Sequence, residues 1–119
     1  MPEIPIIEAE AIENLRALNP GDNDEFLKEI VAIYLEDTPQ RISELETSLA
    51  AGDVGTFTRA AHSIKGSSSN LGASRLRAAA ETLEHGSKKN GLTGVEAGIV
   101  TVKLEFAAAE AALRIYLGN

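Results

Sequence analysis

Apolar residues recur at three- and four-residue intervals along almost the whole chain, and this spacing leaves little besides α-helix open to it. The clearest run is Val95, Ile99, Val102, Phe106, Ala109, Leu113 and Tyr116, an unbroken seam of the kind that packs against other helices. A second runs through Leu27, Val31, Tyr34, Thr38, Ile42, Leu45 and Leu49. Strand-like alternation is absent, and proline occurs only at 2, 5, 20 and 39.

Punctuation divides this pattern into five helices. The first is expected over about 8–18, with Ile12, Leu15 and Leu18 as a short apolar edge, and Asn19-Pro20-Gly21 stops it. The second is expected over about 23–51. Asp22 and Glu25 form a variant capping box at its start, and Pro39 should kink it without ending it. Ala51-Gly52-Asp53 closes that helix, and Asp53 can cap the next, over about 54–71. After the turn Asn70-Leu71-Gly72 comes a fourth helix over about 73–90, with Leu76, Ala80, Leu83 and Ser87 on its inner edge and Gly91 as its stop. The fifth covers about 94–117. Four long amphipathic helices with short connections imply an all-α, antiparallel up-down-up-down four-helix bundle. The short first helix should cap one end. Phe26, Ile30 and Ile33 add an apolar stripe to the second helix, either a dock for the first or an exposed patch.

At 119 residues, one domain with its own core is expected. With no cysteine there is no disulfide framework and no thiolate chemistry. The net charge of −7 argues against nucleic acid as the main partner and suits a protein partner. No apolar run approaches the roughly 20 residues that span a bilayer, and the N-terminus lacks the pattern of a signal peptide. A cytoplasmic monomer is expected, with no membrane partner. The start at Met1 and the end just past the fifth helix fit a stand-alone protein.

His62 is the residue that needs explaining. Helical projection puts Gly55, Thr58, Arg59, Lys65, Gly66 and Ser69 on its stripe, and Phe57, Ala60, Ile64 and Leu71 on the opposite side. A histidine on a polar helix face is most often only solvated. Here Gly66 stands one turn on, at a helix-propensity cost of roughly 1 kcal/mol relative to alanine, which points to close approach by another molecule. Metal binding has no support, because the other histidine, His85, lies at no ligand spacing from it and projects to the surface. Acid–base catalysis would need a pocket and a second group, of which Glu81, Glu84 and nearby serines are the only candidates. A neutral imidazole can itself act as a nucleophile towards phosphorus, with Lys65 close enough to meet phosphoryl oxygens.

The segment His62-Ser63-Ile64-Lys65-Gly66-Ser67-Ser68-Ser69-Asn70-Leu71-Gly72-Ala73 resembles the signature of histidine-containing phosphotransfer (HPt) domains of multistep phosphorelays. The likeness extends to Phe26, to Tyr34-Leu35-Glu36-Asp37-Thr38-Pro39, to Leu49-Ala50-Ala51-Gly52-Asp53 and to Leu83-Glu84. The related histidine domain of chemotaxis kinases shares His-x-x-Lys-Gly, but its following turn is typically richer in glycine and aromatic residues. The HPt resemblance implies that His62 accepts a phosphoryl group from a receiver-domain aspartate and passes it to another, in bacterial-type two-component signalling. The receivers would belong to response regulators or hybrid histidine kinases.

Carried over by position, Lys65 would be the phosphate-side cation and Gly66 the access glycine, with Ser69 and Arg59 on the same contact face. A polar side chain of the next helix often orients the imidazole in this family. Glu84 is the best match, with Lys88 one turn on, unless those two are an ordinary surface pair. Ile12, Leu15, Phe26 and Ile30 are the candidate docking patch. No cofactor and no kinase activity of its own are implied, and the receiver would supply the divalent metal, Mg2+. An adaptor on the same fold that no longer carries phosphate is the alternative.

Overall fold

The computed structural model describes residues 4–118, and all regular structure among them is helical. Helices α1 (Ala9–Leu18), α2 (Glu25–Ala51), α3 (Val54–Asn70), α4 (Ser74–Asn90) and α5 (Glu96–Arg114) lie within two residues of the expected bounds, except that α5 ends three residues early. The last expected turn of α5 tightens into a 3₁₀ segment, Ile115–Leu117. The long helices close a ring in which α2 packs on α3, α3 on α4, α4 on α5 and α5 on α2. This is the four-helix bundle that the periodicity demands, with α1 laid against α2. The molecule measures 47 × 33 × 23 Å.

The predicted seams are the core. Leu27, Val31, Tyr34, Ile42 and Leu45 of α2 are buried against Phe57, Ala60, Ala61 and Ile64 of α3 and Leu76, Ala80 and Leu83 of α4. Val95, Ile99, Val102, Ala109 and Leu113 complete it, and Phe106 packs beside them with its ring 6.4 Å from that of Tyr34. The few buried polar groups find partners, either on a neighbouring helix or on backbone carbonyls of their own, as burial requires. The Tyr34 hydroxyl lies 2.7 Å from Ser68 Oγ, joining α2 to α3. Burial pushes the Tyr34 phenol up to about 12, so it stays neutral. Helix α2 runs on through Pro39, and the preceding Thr38 donates its hydroxyl to Tyr34 O at 2.7 Å.

The helix stops follow local chemistry. Gly52 takes the left-handed conformation after α2, and Asp53 accepts from Thr56 N at 3.1 Å to cap α3. The start of α2 differs from expectation. Asn23 and Asp24 both have positive φ, which shifts the N-cap position to Asp24. Asp22 still acts as a cap, accepting from Phe26 N at 3.0 Å, but Glu25 is simply the first helical residue. Asp24 is free to pair with Arg16 of α1 at 3.1 Å, and that guanidinium also stands over the Tyr116 ring. These contacts tie α1 to the start of α2 and to the C-terminal 3₁₀ turn.

Ile12 is only 1% exposed, so it belongs to the core and not to a docking surface. An amphipathic edge on a short helix is apolar whether it docks inward or outward, and here α1 turns it inward. Leu15 and Ile30 are half-buried against the core, Phe26 is half-buried, and Ile33 is exposed. The extra stripe on α2 is therefore divided between packing on the core and facing solvent.

The turn between α3 and α4 fixes α1. Gly72 O accepts from Glu8 N at 2.8 Å, and Gly72 has φ +71°. A Cβ there would meet Ala11 Cβ at 2.7 Å and Glu8 O at 3.0 Å. Gly72→Ala adds left-handed backbone strain to that collision and is expected to destabilise the fold by about 1–3 kcal/mol. Chemical denaturation measures the loss, and a wild-type midpoint would show that α1 yields without cost.

Candidate functional site

His62 lies in the middle of α3 on the side away from the core, because Phe57, Ala60, Ala61 and Ile64 take the inner face. Its side chain is 65% exposed. Its hydrogen bond crosses to α4, where Glu84 Oε2 stands 2.7 Å from Nδ1. Glu84 is itself buried, at 3% exposure, beside Leu83 and Ser87 on the inner edge of α4.

A buried carboxylate is costly unless it is compensated. Burial alone would raise its pKa, but the Lys65 ammonium, His62 and Lys88 together hold it down, to about 2. Lys65 Nζ lies 2.7 Å from Oε1 and Lys88 Nζ 3.2 Å from Oε2. The Lys65 contact is an ion pair, and Oε1 has no aligned hydrogen bond. Two lysines facing one carboxylate leave a net positive charge around the imidazole.

Charge state settles the tautomer. A carboxylate held near 2 is ionised at neutral pH and can only accept hydrogen bonds. Nδ1 must therefore carry the proton and donate it to Glu84. In the neutral ring, Nε2 then holds the free lone pair on the exposed side of the helix. The site thus presents a nucleophilic nitrogen of fixed orientation beside positive charge.

The helices around it are latched together. Ser87 donates its hydroxyl to Glu84 O at 3.1 Å and therefore accepts from Thr58 Oγ1 at 2.7 Å. Thr58, projected onto the polar stripe, in fact faces α4 and fixes the α3–α4 distance that Glu84 must span. That partnership was not legible, since a half-polar stripe does not say which threonine faces a neighbour. His62, Lys65, Glu84 and Lys88 form one cluster, whereas Arg59, Gly66 and Ser69 lie on the exposed surface around it. Arg59 donates to Thr56 Oγ1 at 3.3 Å. Glu84 and Lys88 do make an i,i+4 pair, but not an ordinary surface one, because the carboxylate is buried. Lys65 lies beside the imidazole as expected, yet its ammonium turns back to Glu84. His85 is on the surface. No group of three or more histidine or acidic side chains able to hold a metal occurs among the described residues.

Gly66 is exposed, and a Cβ built on it meets nothing within 4 Å. Packing therefore does not require glycine there. Gly66→Ala is expected to raise stability by roughly 1 kcal/mol through helix propensity. Gly66→Gln should remain folded while lowering the rate of any reaction in which a partner approaches Nε2. Thermal melts and transfer rates measured on both variants check this, and normal transfer by Gly66→Gln would remove the access argument.

The family model of the Hpt domain matches residues 29–112, which include every member of this cluster. The chain belongs to the Hpt domain family. Over 80 residues, 67% of the chain, it is 30% identical to multistep phosphorelay regulator 1 of Schizosaccharomyces pombe, covering 27% of that protein. Over 75 residues, 61% of the chain, it is 31% identical to histidine-containing phosphotransfer protein 4 of Arabidopsis thaliana, covering 59% of that protein. The matched region thus spans less than two thirds of either relative.

Among solved structures, this Hpt domain superimposes on histidine-containing phosphotransfer protein B of Pseudomonas aeruginosa with a TM-score of 0.84. The two share 27% identity, with 94% of each chain covered. The HPT domain of a Shewanella sensor hybrid histidine kinase gives a TM-score of 0.77 at 15% identity, with 98% and 97% covered, which speaks for the fold. The relatives come from yeast, a plant and bacteria, so the family does not fix a bacterial origin. No described helix is long and apolar enough to cross a membrane.

Proposed function

We propose that this Hpt domain is a phosphorelay intermediate that carries a phosphoryl group on His62 Nε2 between receiver-domain aspartates. The observation that carries the reading is the Nδ1 hydrogen bond to a buried, ionised Glu84. Nε2 attacks the phosphorus of an aspartyl phosphate, an N–P bond forms, and the P–O bond to the aspartate breaks. The aspartate leaves as a carboxylate with the bonding electrons. The proton stays on Nδ1, so the phosphorylated ring gains positive character next to Glu84. Transfer onward reverses these steps.

Phosphoryl transfer depends mainly on positioning and on electrostatic stabilisation of the equatorial oxygens. Lys65 and Lys88 supply positive charge here, and the receiver supplies the divalent metal, Mg2+. The domain has no part in ATP hydrolysis in this reading and acts in the cytoplasm. Every site residue comes from one chain, so a single copy is competent. Receivers of response regulators or hybrid histidine kinases would dock over the His62 face. The exposed parts of Leu15, Phe26 and Ile30, with Arg59 and Ser69, would contribute to that contact. The acidic surface would act mainly on encounter rate.

The test is incubation with a phosphorylated receiver. Acid-labile, alkali-stable label on His62 is expected. Receiver binding without labelling would instead identify an adaptor.

Lys65→Ala is expected to slow transfer about 10–100-fold at saturating receiver while changing affinity by less than about threefold, because its charge acts where the phosphoryl group carries negative charge. Rapid-quench transfer and a separate binding titration separate the two quantities. A loss confined to affinity would assign Lys65 to docking.

A further inference from the structure

Helix α5 carries a second apolar seam on its outer face. Ala97, Val100, Leu104, Ala107 and Ala111 follow one another at intervals of three and four and are all exposed. Val100 is 56% and Leu104 67% exposed, among the most exposed large apolar side chains of the chain. A seam with this period matches the requirement for pairing with another helix, and the bundle uses only the opposite seam.

The geometry points to a second copy of this chain as the occupant, with the two α5 helices antiparallel about a two-fold axis. In that register Leu104 meets the partner's Ala107 and Val100 meets the partner's Ala111, each pair occurring twice. Large side chains then face small ones, which permits close packing. The same register sets Lys103 opposite the partner's Glu110, and Glu110 opposite the partner's Lys103. Thr101 and Ala108, which flank the other side of the seam, meet without charge. A parallel pair would stack Leu104 on Leu104 and alanine on alanine, and would set Lys103 against Ala108, so size and charge matching both favour the antiparallel arrangement. Within one chain Lys103 already meets Glu46 at 2.6 Å and Glu110 meets Arg114 at 2.7 Å. Both are half-exposed pairs that can take a further partner.

Helices α3 and α5 occupy opposite corners of the bundle, each packing on α2 and α4. The dimer would leave His62 open on its far side, and this inference does not rest on the phosphotransfer reading. A single-helix contact falls well below the roughly 1,200–2,000 Å² of stable specific pairs, so association is expected to be reversible and to appear between about 10 µM and 1 mM.

Sedimentation velocity over that range is the test, with circular dichroism and melting to confirm folding. The wild-type chain should shift from monomer towards dimer as concentration rises, whereas Leu104→Glu should remain monomeric throughout. Lys103→Glu and Glu110→Lys should each weaken association about tenfold, and the double exchange should restore it. A wild-type chain that stays monomeric to 1 mM, or Leu104→Glu that dimerises normally, would overturn the proposal. Single exchanges that the double exchange fails to rescue would overturn the antiparallel register.

Discussion

His62→Gln is expected to leave a folded bundle that takes up no phosphoryl group. The side chain is mostly exposed, and among the described residues its hydrogen-bond partner is Glu84. A glutamine amide can still donate to that carboxylate, so the stability change should stay within about 0.5 kcal/mol. The amide nitrogen has no available lone pair, so the nucleophile is lost. The chain contains one other imidazole, His85, on the surface of α4. Label retained by His62→Gln, on His85 or elsewhere, would defeat the assignment. Melting curves and phosphorylation by a phospho-receiver give both readouts from one preparation.

Glu84→Ala is expected to cost both function and stability. The imidazole loses the contact that fixes its proton on Nδ1, and the ring becomes free to rotate and change tautomer. Transfer should fall by about 10–100-fold, the range in which removal of a partner that orients a histidine usually acts. Lys65, whose side chain is only 22% exposed, is left facing an empty pocket. Removing one member of such a partly buried pair costs about 1–3 kcal/mol.

The stability effect depends on pH with a definite sign. Glu84 has a folded-state pKa depressed to about 2 from 4.5, so its contribution is fully present above 4.5 and is lost as pH falls towards 2. The gap between wild type and Glu84→Gln should therefore be largest near neutrality and should narrow between those two values. Glu84→Gln, which keeps a hydrogen-bond acceptor for Nδ1, should retain more transfer than Glu84→Ala. Equal loss in both variants would mean that charge, and not orientation, is what Glu84 provides.

The sequence made the helices legible because their stabilising seams are periodic and aliphatic. The α5 run from Val95 to Leu113 is buried where its period places it, Phe106 only partly, and so is the α2 run from Leu27 to Leu45. His62 was legible for the converse reason, since a helix with Phe57, Ala60 and Ile64 on one side must expose what lies opposite. Glu84 was legible as the imidazole's partner through the family resemblance, and from the helix pattern only as a neighbour of the inner edge. Its depth follows from how closely α4 packs on α3, which Thr58 and Ser87 help to set, and a single helix pattern does not contain that distance. The direction of Lys65 was hidden for a similar reason. Its four-carbon stem can point to solvent or fold back, and the buried carboxylate decides between them. Ile12 shows the limit for short helices, where an apolar edge marks contact without saying with what. At the start of α2, the positive φ of Asn23 and Asp24 moved the cap, a backbone choice that residue type permits without requiring.

The tautomer makes the central claim measurable at one atom. Phosphorus NMR of the chain phosphorylated by a receiver distinguishes phosphate on Nε2 from phosphate on Nδ1, and digestion with mass spectrometry locates the residue. A single Nε2-phosphohistidine signal, assigned to His62 and absent from His62→Gln, is the predicted result. Phosphate on Nδ1 would contradict the Glu84 hydrogen bond as the element that orients the nucleophile, and phosphate on any other residue would contradict the site itself.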